Sequence, residues 1–257
     1  MMKMVDHGRG KPLLLVHGLG SSGHAWEPIL HPLAQARRVM VIDLPGHGAS
    51  PAEADSGTFA GLVRSVAAWM EATRMTGVDM VGSSLGARIV LELARRGLAG
   101  NVVALDPGGF WEGWERHFTV TTLTASRALV KALKPALPTL ASNAASRSAL
   151  LAQLSARPWA LDGGFVAEEL RTLAETPTVP SLIQDLGYGP GQEGTATTGG
   201  RVAIGWGRHD RLCLPIQADR AAKRFPSARL HWFEHSGHFP LWDEPAETVR
   251  LIADTCG

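Results

Sequence analysis

The chain has 257 residues, enough for one large α/β domain or for a domain that carries an insertion. Apolar residues make up 45% and charged residues 19%, ordinary proportions for a globular protein. The formal charge of +1 gives no electrostatic reason to expect nucleic acid or acidic lipid as a partner. Two cysteines, Cys213 and Cys256, are too few for a disulfide framework; they allow one bridge, and ordinary thiols are the expectation. No apolar run is long enough to span a bilayer, and residues 13–16 are too short for the core of a secretory signal. The default expectation is a cytoplasmic chain without a membrane span, monomeric or homodimeric.

Apolar, β-rich runs then alternate with longer helical patterns. Residues 12–17 read as a buried strand, 25–36 as a helix, and 38–43 as a second strand closed by the turn Leu44-Pro45-Gly46-His47-Gly48. Helical spacing over 59–74 precedes a strand at 78–83, a helix at 85–97 ended by Gly97, and a strand at 101–105. Strands separated by helices of this length pair in parallel through right-handed crossovers, so the pattern predicts an α/β chain with a doubly wound, mostly parallel sheet. From 108 to 200 only helix-like runs occur, punctuated by Pro135, Pro138, Pro158, Pro177 and Pro180. Strands return at 202–205 and 229–233, with helices at 216–225 and 245–254. The expected organisation is a core of residues 1–108 and 195–257, interrupted by a helical insertion over 109–194. The Gly- and Thr-rich stretch 187–200 reads as a hinge or mobile return loop.

Gly82-Ser83-Ser84-Leu85-Gly86 lies where a strand runs into a helix. As a bare pattern G-x-S-x-G is weak, but in that context it describes a tight turn that exposes the Ser84 hydroxyl. Side chains at the flanking glycines would crowd such a turn, and the amino end of the following helix favours negative charge at the serine. His17-Gly18-Leu19-Gly20 follows the first strand, where the Leu19 N–H can aim at the same point as that of Leu85. Two such donors would form an oxyanion hole for acyl transfer. Gly205-Trp206-Gly207-Arg208-His209-Asp210 and His235-Ser236-Gly237-His238 follow later strands, which puts Asp210 and His238 on loops at the same sheet edge. The order Ser, Asp, His is one of the known triad orders. His235 competes for the base role, and Asp106, at the end of the strand before the insertion, competes for the acid.

HGLG at 17–20, DLPGHGAS at 43–50, GSSLGA at 82–87, GRHDRLCLP at 207–215 and HSGHFPLWDEP at 235–245 together resemble the α/β-hydrolase fold superfamily along nearly the whole chain. The resemblance implies Ser84 as nucleophile, His238 as base and then acid, Asp210 as the orienting carboxylate, and the insertion as a cap over the site. It departs from the family at its start, where only eleven residues precede Pro12, so the usual N-terminal antiparallel strand pair is expected to be shortened or absent. The resemblance implies a hydrolase of a small or medium carboxylic ester or related acyl compound. Serine at the elbow argues against the branches that use a carboxylate nucleophile.

The same triad serves C–C bond hydrolases and a pyruvate-eliminating lyase of menaquinone synthesis, and Arg88 resembles the arginine of GxSxGGR in that lyase. A non-catalytic binding member of the fold is a further alternative, though an intact serine, aspartate and histidine set argues against it. Trp111, Trp114 and Trp159 are candidates for lining an acyl pocket, against the plainer role of filling the insertion's own core. His17 and His47 are expected to bond their own turns. His7, His17, His24 and His31 lack metal-ligand spacing, so no metal is expected, and no cofactor signature is present. The expected partner is a small-molecule substrate.

Overall fold

The structure, a computed structural model, describes residues 2–257. In chain order its elements are β1 (Met4–His7), β2 (Pro12–Val16), α1 (Glu27–Ala36), β3 (Arg38–Ile42), α2 (Phe59–Ala72), β4 (Asp79–Ser83), α3 (Leu85–Arg95) and β5 (Val102–Leu105). Five α-helices follow: α4 (Trp114–Ala132), α5 (Leu137–Ser142), α6 (Ala144–Leu150), α7 (Gly163–Glu175) and α8 (Val179–Tyr188). Then come β6 (Val202–Gly207), α9 (Ile216–Arg224), β7 (Arg229–Phe233), α10 (Pro240–Asp243) and α11 (Pro245–Cys256). The seven strands run in the order β1-β3-β2-β4-β5-β6-β7, and all neighbours are parallel except β1 and β3. This is the mostly parallel, doubly wound sheet with a helical insertion that the alternation predicts.

The N-terminal strand pair is shortened, as expected: β1 is a single four-residue strand, antiparallel to β3 with Met4 opposite Ile42. Its sequence, MVDH, is half polar and half-exposed at the sheet edge, so its own pattern is too weak to announce a strand. Pairing supplies what the pattern lacks, and Arg38 Nε donates to Asp6 Oδ2 (2.8 Å) across the two strands.

Successive residues of the inner strands point to opposite faces, and both faces are buried. Leu14, Val16, Met80 and Ala104 pack with α2, α3 and α9, while Leu13, Leu15, Val81 and Val103 pack with α1 and α11. Phe165 and Leu170 of α7 and Leu137 of α5 join the second of these clusters, so the insertion shares a core with the sheet layer. Each such large side chain removed from water is worth about 1.5–3 kcal/mol, which makes the insertion part of the folded body.

Polar ties add position to this packing. Asp185 of α8 accepts the Phe59 N–H at the start of α2 (2.7 Å), and Arg220 of α9 pairs with the buried Glu115 of α4 (2.5 Å). Glu169 of α7 reaches the loop after β2, where it accepts from the Ser21 hydroxyl (2.7 Å) and lies 2.9 Å from His24 Nδ1. The return segment after α8 has no regular structure, yet it is not a free hinge. Gln192 N–H donates to Gly109 carbonyl (2.8 Å), Thr195 N–H to Arg224 carbonyl (2.7 Å), and Thr197 N–H to Ala94 carbonyl (3.1 Å). Among the described residues no helix is long and apolar enough to cross a membrane, and both cysteines are free and buried.

The Glu169 carboxylate, hydrogen-bonded to His24, raises that imidazole above its ordinary range. A folded-state value raised above the unfolded one stabilises the fold below about pH 6.5 and loses that contribution as pH rises through the folded value. Because His24 is partly open to solvent, the pair is worth at most about 1 kcal/mol, or about 2–4 °C in Tm. Thermal melts should therefore find His24→Gln less stable than wild type by that margin at acidic pH, with the gap closing under alkaline conditions. A gap that widens with pH would contradict this pairing.

Candidate active site

Ser84 stands between β4 and α3 with φ 55° and ψ −113°, a backbone conformation rare for any residue but glycine. Its N–H donates to the Leu105 carbonyl at the end of β5 (2.9 Å), and its carbonyl accepts the Arg88 N–H (3.1 Å) as α3 begins. Gly86 permits the close approach of α3 to β2, because a Cβ there would overlap the Val16 carbonyl. Gly18 does the same from the loop after β2: its Cβ would lie 3.2 Å from Ser84 Cβ. That loop therefore runs directly beside the serine. Leu19 and Leu85 both border the cavity above Ser84, and among the described residues neither amide is spent on a backbone carbonyl outside the helix.

The three loops at this sheet edge bring Ser84, His238 and Asp210 into one hydrogen-bonded chain. Ser84 Oγ is 2.8 Å from His238 Nε2, and His238 Nδ1 is 2.8 Å from Asp210 Oδ2. Asp210 Oδ1 accepts the N–H groups of Leu212 (2.7 Å) and Cys213 (2.9 Å). With Nδ1–H given to the carboxylate, Nε2 is left as an acceptor for the Ser84 hydroxyl. The imidazole and the carboxylate are wholly buried. Such a chain can draw the proton from the hydroxyl and stabilise the imidazolium that results.

His235, the competing histidine, is exposed and lines a separate surface groove of about 620 Å³ with His209 and Arg211. Asp106, the competing acid, is fully buried with φ 47°; its Oδ1 accepts the Gly207 N–H (2.8 Å), and the imidazole is bonded to Asp210 instead. His17 donates from Nδ1 to the Gly18 carbonyl (2.7 Å) and accepts the Leu44 N–H at Nε2 (3.0 Å), bracing two loops. Burial keeps both neighbouring imidazoles neutral, pushing His17 down and His47 to about 3.

The loop of His238 is held by residues the motifs did not single out. Asp243 accepts from Gly237 N–H (2.8 Å), Ala156 N–H (2.8 Å) and the Ser155 hydroxyl (2.5 Å). Glu244 accepts from His235 N–H (2.9 Å) and the Ser236 hydroxyl (2.7 Å), and the His238 N–H donates to Leu154 carbonyl in the insertion (2.9 Å). The acidic pair is visible within HSGHFPLWDEP, but Asp243's partners in the insertion, Ser155 and Ala156, lie 88 and 87 residues away.

Above Ser84 lies a small apolar cavity of about 70 Å³, bordered by Trp111, Arg88 and Phe239, with Leu123, Leu173 and Leu186 contributed by the insertion. The tryptophan expectations divide here. Trp111 is buried at the cavity, whereas Trp114 (64% exposed) faces away from it and Trp159 (58% exposed) lines the separate surface groove. Trp114 instead packs edge-on against Phe118 one turn along α4. Arg88 is fully buried, with Nη2 donating to the Pro190 carbonyl (2.6 Å) and its guanidinium 3.8 Å from the Phe59 ring centre. Burial lowers it to about 10, against the pull of Asp185 and Glu92, so it stays charged at neutral pH.

Asp210, Cys213 and His238 offer ligand atoms within 4.8 Å of one another, a spacing a metal could use. The chemistry does not fit one. Burial and the neighbouring carboxyls hold the Cys213 thiol protonated, while His238 and Asp210 are spent on each other.

A parallel sheet in this strand order, with a serine on the turn after its central strand, is the α/β-hydrolase fold. The chain belongs to the alpha/beta hydrolase family, whose model matches residues 13–251. It is 30% identical over 254 residues to the dihydrolipoyllysine-residue acetyltransferase component of the acetoin cleaving system of Cupriavidus necator. That match covers 97% of this chain, which spans 64% of that relative's length. An esterase from Exiguobacterium antarcticum shares the fold with a TM-score of 0.78 at 16% identity, over 98% of this chain and 94% of that one. A meta-cleavage product hydrolase from Pseudomonas fluorescens does so with a TM-score of 0.75 at 17% identity, over 99% and 93%.

The contact at Gly86 is with backbone, which cannot step aside as a side chain can. Gly86→Ala should therefore cost about 3 kcal/mol or more, lowering Tm by about 6–12 °C, and should displace the Ser84 turn. A melt matching wild type would show that α3 does not depend on this approach.

Proposed function

We propose that the protein is a serine hydrolase that cleaves a small carboxylic ester or related acyl compound through an acyl-enzyme. The observation that carries this reading is the unbroken hydrogen-bonded chain from Ser84 through His238 to Asp210 at the floor of an apolar cavity. In the proposed mechanism Ser84 Oγ attacks the acyl carbonyl as His238 Nε2 takes its proton, and Asp210 holds the resulting imidazolium. The Leu19 and Leu85 amides, with the amino end of α3, receive the negative charge on the tetrahedral oxygen. His238 returns the proton to the leaving alcohol, and water repeats the sequence to release the acid. The insertion acts as a cap, and the small cavity suits a short acyl or alcohol group.

A fluorophosphonate probe should label Ser84, and Ser84→Ala should abolish both labelling and hydrolysis of p-nitrophenyl esters. Asp210→Asn should lower kcat by about 10⁴, since the imidazole loses its orienting partner. Labelling confined to Ser83 or Ser236, or full turnover in Ser84→Ala, would sink the reading.

One observation favours a second reading, in which the substrate carries a carboxylate and the bond cleaved is C–C or is broken by elimination. Arg88 Nε, Trp111 Nε1 and Thr119 Oγ1 are all buried, all lack a partner, and all belong to residues around the Ser84 cavity. Unpaired buried donors cost about 1–3 kcal/mol each, a cost that an acceptor group on the ligand would remove. The solved meta-cleavage product hydrolase indicates that this fold accommodates such chemistry. Under this reading Arg88→Met should lower kcat/KM for a carboxylated dienone or hemi-ester by about 10²-fold or more, while changing a neutral ester about tenfold at most. Trp111→Ala should change the ratio between short and bulky esters, and Trp114→Ala should leave it alone. Equal losses on every substrate would assign Arg88 and Trp111 to packing instead.

A further inference from the structure

Asp106 is a buried carboxyl beside the site for which the proposed chemistry has no use. It directly follows β5, one strand over from the serine turn, and its left-handed backbone is a conformation that persists only where the surroundings enforce it. Oδ1 accepts the Gly207 N–H (2.8 Å), and Oδ2 is buried and receives no donor among the described residues. The same Gly207 accepts the Asp210 N–H at its carbonyl (3.2 Å), so the two buried carboxyls lie together on one turn at the sheet edge. Two carboxylates cannot hydrogen-bond to each other; one must carry a proton.

Counting donors decides which. Asp210 receives three N–H groups, two at Oδ1 and the His238 Nδ1–H at Oδ2, whereas Asp106 receives one. The charge therefore belongs on Asp210. Its Oδ1 is filled by two donors, and one lone pair on Oδ2 remains for a further donor. The charged and titratable groups around Asp106 are Asp210 on the loop after β6, Asp243 on α10, the Cys213 thiol, and His238 beyond Asp210. None places a fixed positive charge against Asp106, and burial together with the Asp210 charge holds its carboxyl well above the usual carboxylate range.

We propose that Asp106 is a positioning residue, a neutral carboxylic acid whose hydroxyl donates to Asp210 and completes the set of donors that holds this carboxylate against His238. The inference rests on the serine-hydrolase reading. Asp106 carries no proton to the substrate and exchanges none during turnover. It fixes the plane of the Asp210 carboxylate and withdraws part of its charge.

The test is the pH profile of kcat/KM for a p-nitrophenyl ester, with infrared spectroscopy of the same proteins. Asp106→Asn keeps the shape, an N–H to donate and a carbonyl for Gly207, so it should hold kcat within about threefold and leave the acid limb in place. Asp106→Leu removes the donor; kcat should fall about tenfold or more, and the acid limb should move to higher pH as the unrelieved Asp210 charge favours the imidazolium. A role confined to packing would reduce the folded fraction without moving that limb. If Asp106→Asn moves the limb to lower pH, wild-type Asp106 is charged and the proposal is overturned. The wild-type spectrum at neutral pH should contain the C=O stretch of a protonated carboxylic acid that Asp106→Asn lacks; its absence would overturn the proposal even if Asp106→Leu failed to fold. Loss of Ser84 labelling in wild type would instead remove the hydrolase reading, and the infrared result would stand apart from it.

Discussion

The left-handed turn at Ser84 is the constraint from which the rest of the site takes its position. Such a conformation costs on the order of 1–3 kcal/mol in a non-glycine residue, so it survives only where neighbours enforce it. Here the enforcement comes from three sides: the Leu105 carbonyl holds the Ser84 N–H, α3 presses onto β2 at Gly86, and the Gly18 loop closes the remaining flank. Helix α3 is itself buried from Leu85 to Ala94, so it has no freedom to rotate and relax the turn. The hydroxyl is fixed before any ligand arrives, and an apolar core supplies the energy that fixes it.

His238 and Asp210 depend on a different kind of support. They lie on loops, where few apolar contacts are available, and hydrogen bonds do the positioning. Asp243 gathers Gly237, Ala156 and Ser155 around the histidine loop, while His238 N–H takes the Leu154 carbonyl. Three of those partners, Leu154, Ser155 and Ala156, belong to the insertion. The same helical segment that narrows the cavity therefore also holds His238, so a rearrangement of the insertion would be felt at the imidazole as well as in the cavity.

What could be read from the sequence follows the range of the interactions. Ser84, Asp210 and His238 sit in strand-turn-helix or strand-loop segments whose glycines and apolar runs are local signals, and the structure brings those three residues together. The strand β1 was not legible because MVDH has no period of its own and exists by pairing with β3. Nothing local in the sequence distinguishes Trp111, which faces the cavity, from Trp114 and Trp159, which face water. Helix packing decides that, over long separations. The return segment looked like a hinge by composition, yet its glycines and threonines serve close backbone contacts with α3 and α9. The partners of Asp243 were beyond reach for the same reason.

The charges in the site are arranged by sign along the line of the chemistry. At one end Asp210, with Asp243 nearby and Asp106 next to it, forms a buried acidic cluster that contains no cation until His238 is protonated. At the other end the amino terminus of α3, Leu19, Leu85 and Arg88 border the cavity, and in the proposed mechanism they supply N–H donors and positive charge. In the proposed mechanism, proton transfer from Ser84 to His238 would separate charge along this same axis, placing the cation toward the carboxylates and the developing anion toward the donors. In an apolar cavity little solvent screens these groups, so each end stabilises the charge it faces without having to reorganise. The acidic cluster also limits itself, because a second full negative charge beside Asp210 would cost more than it returned. An acidic end with one ionised carboxylate and one neutral hydroxyl donor keeps the attraction for the imidazolium and avoids that repulsion.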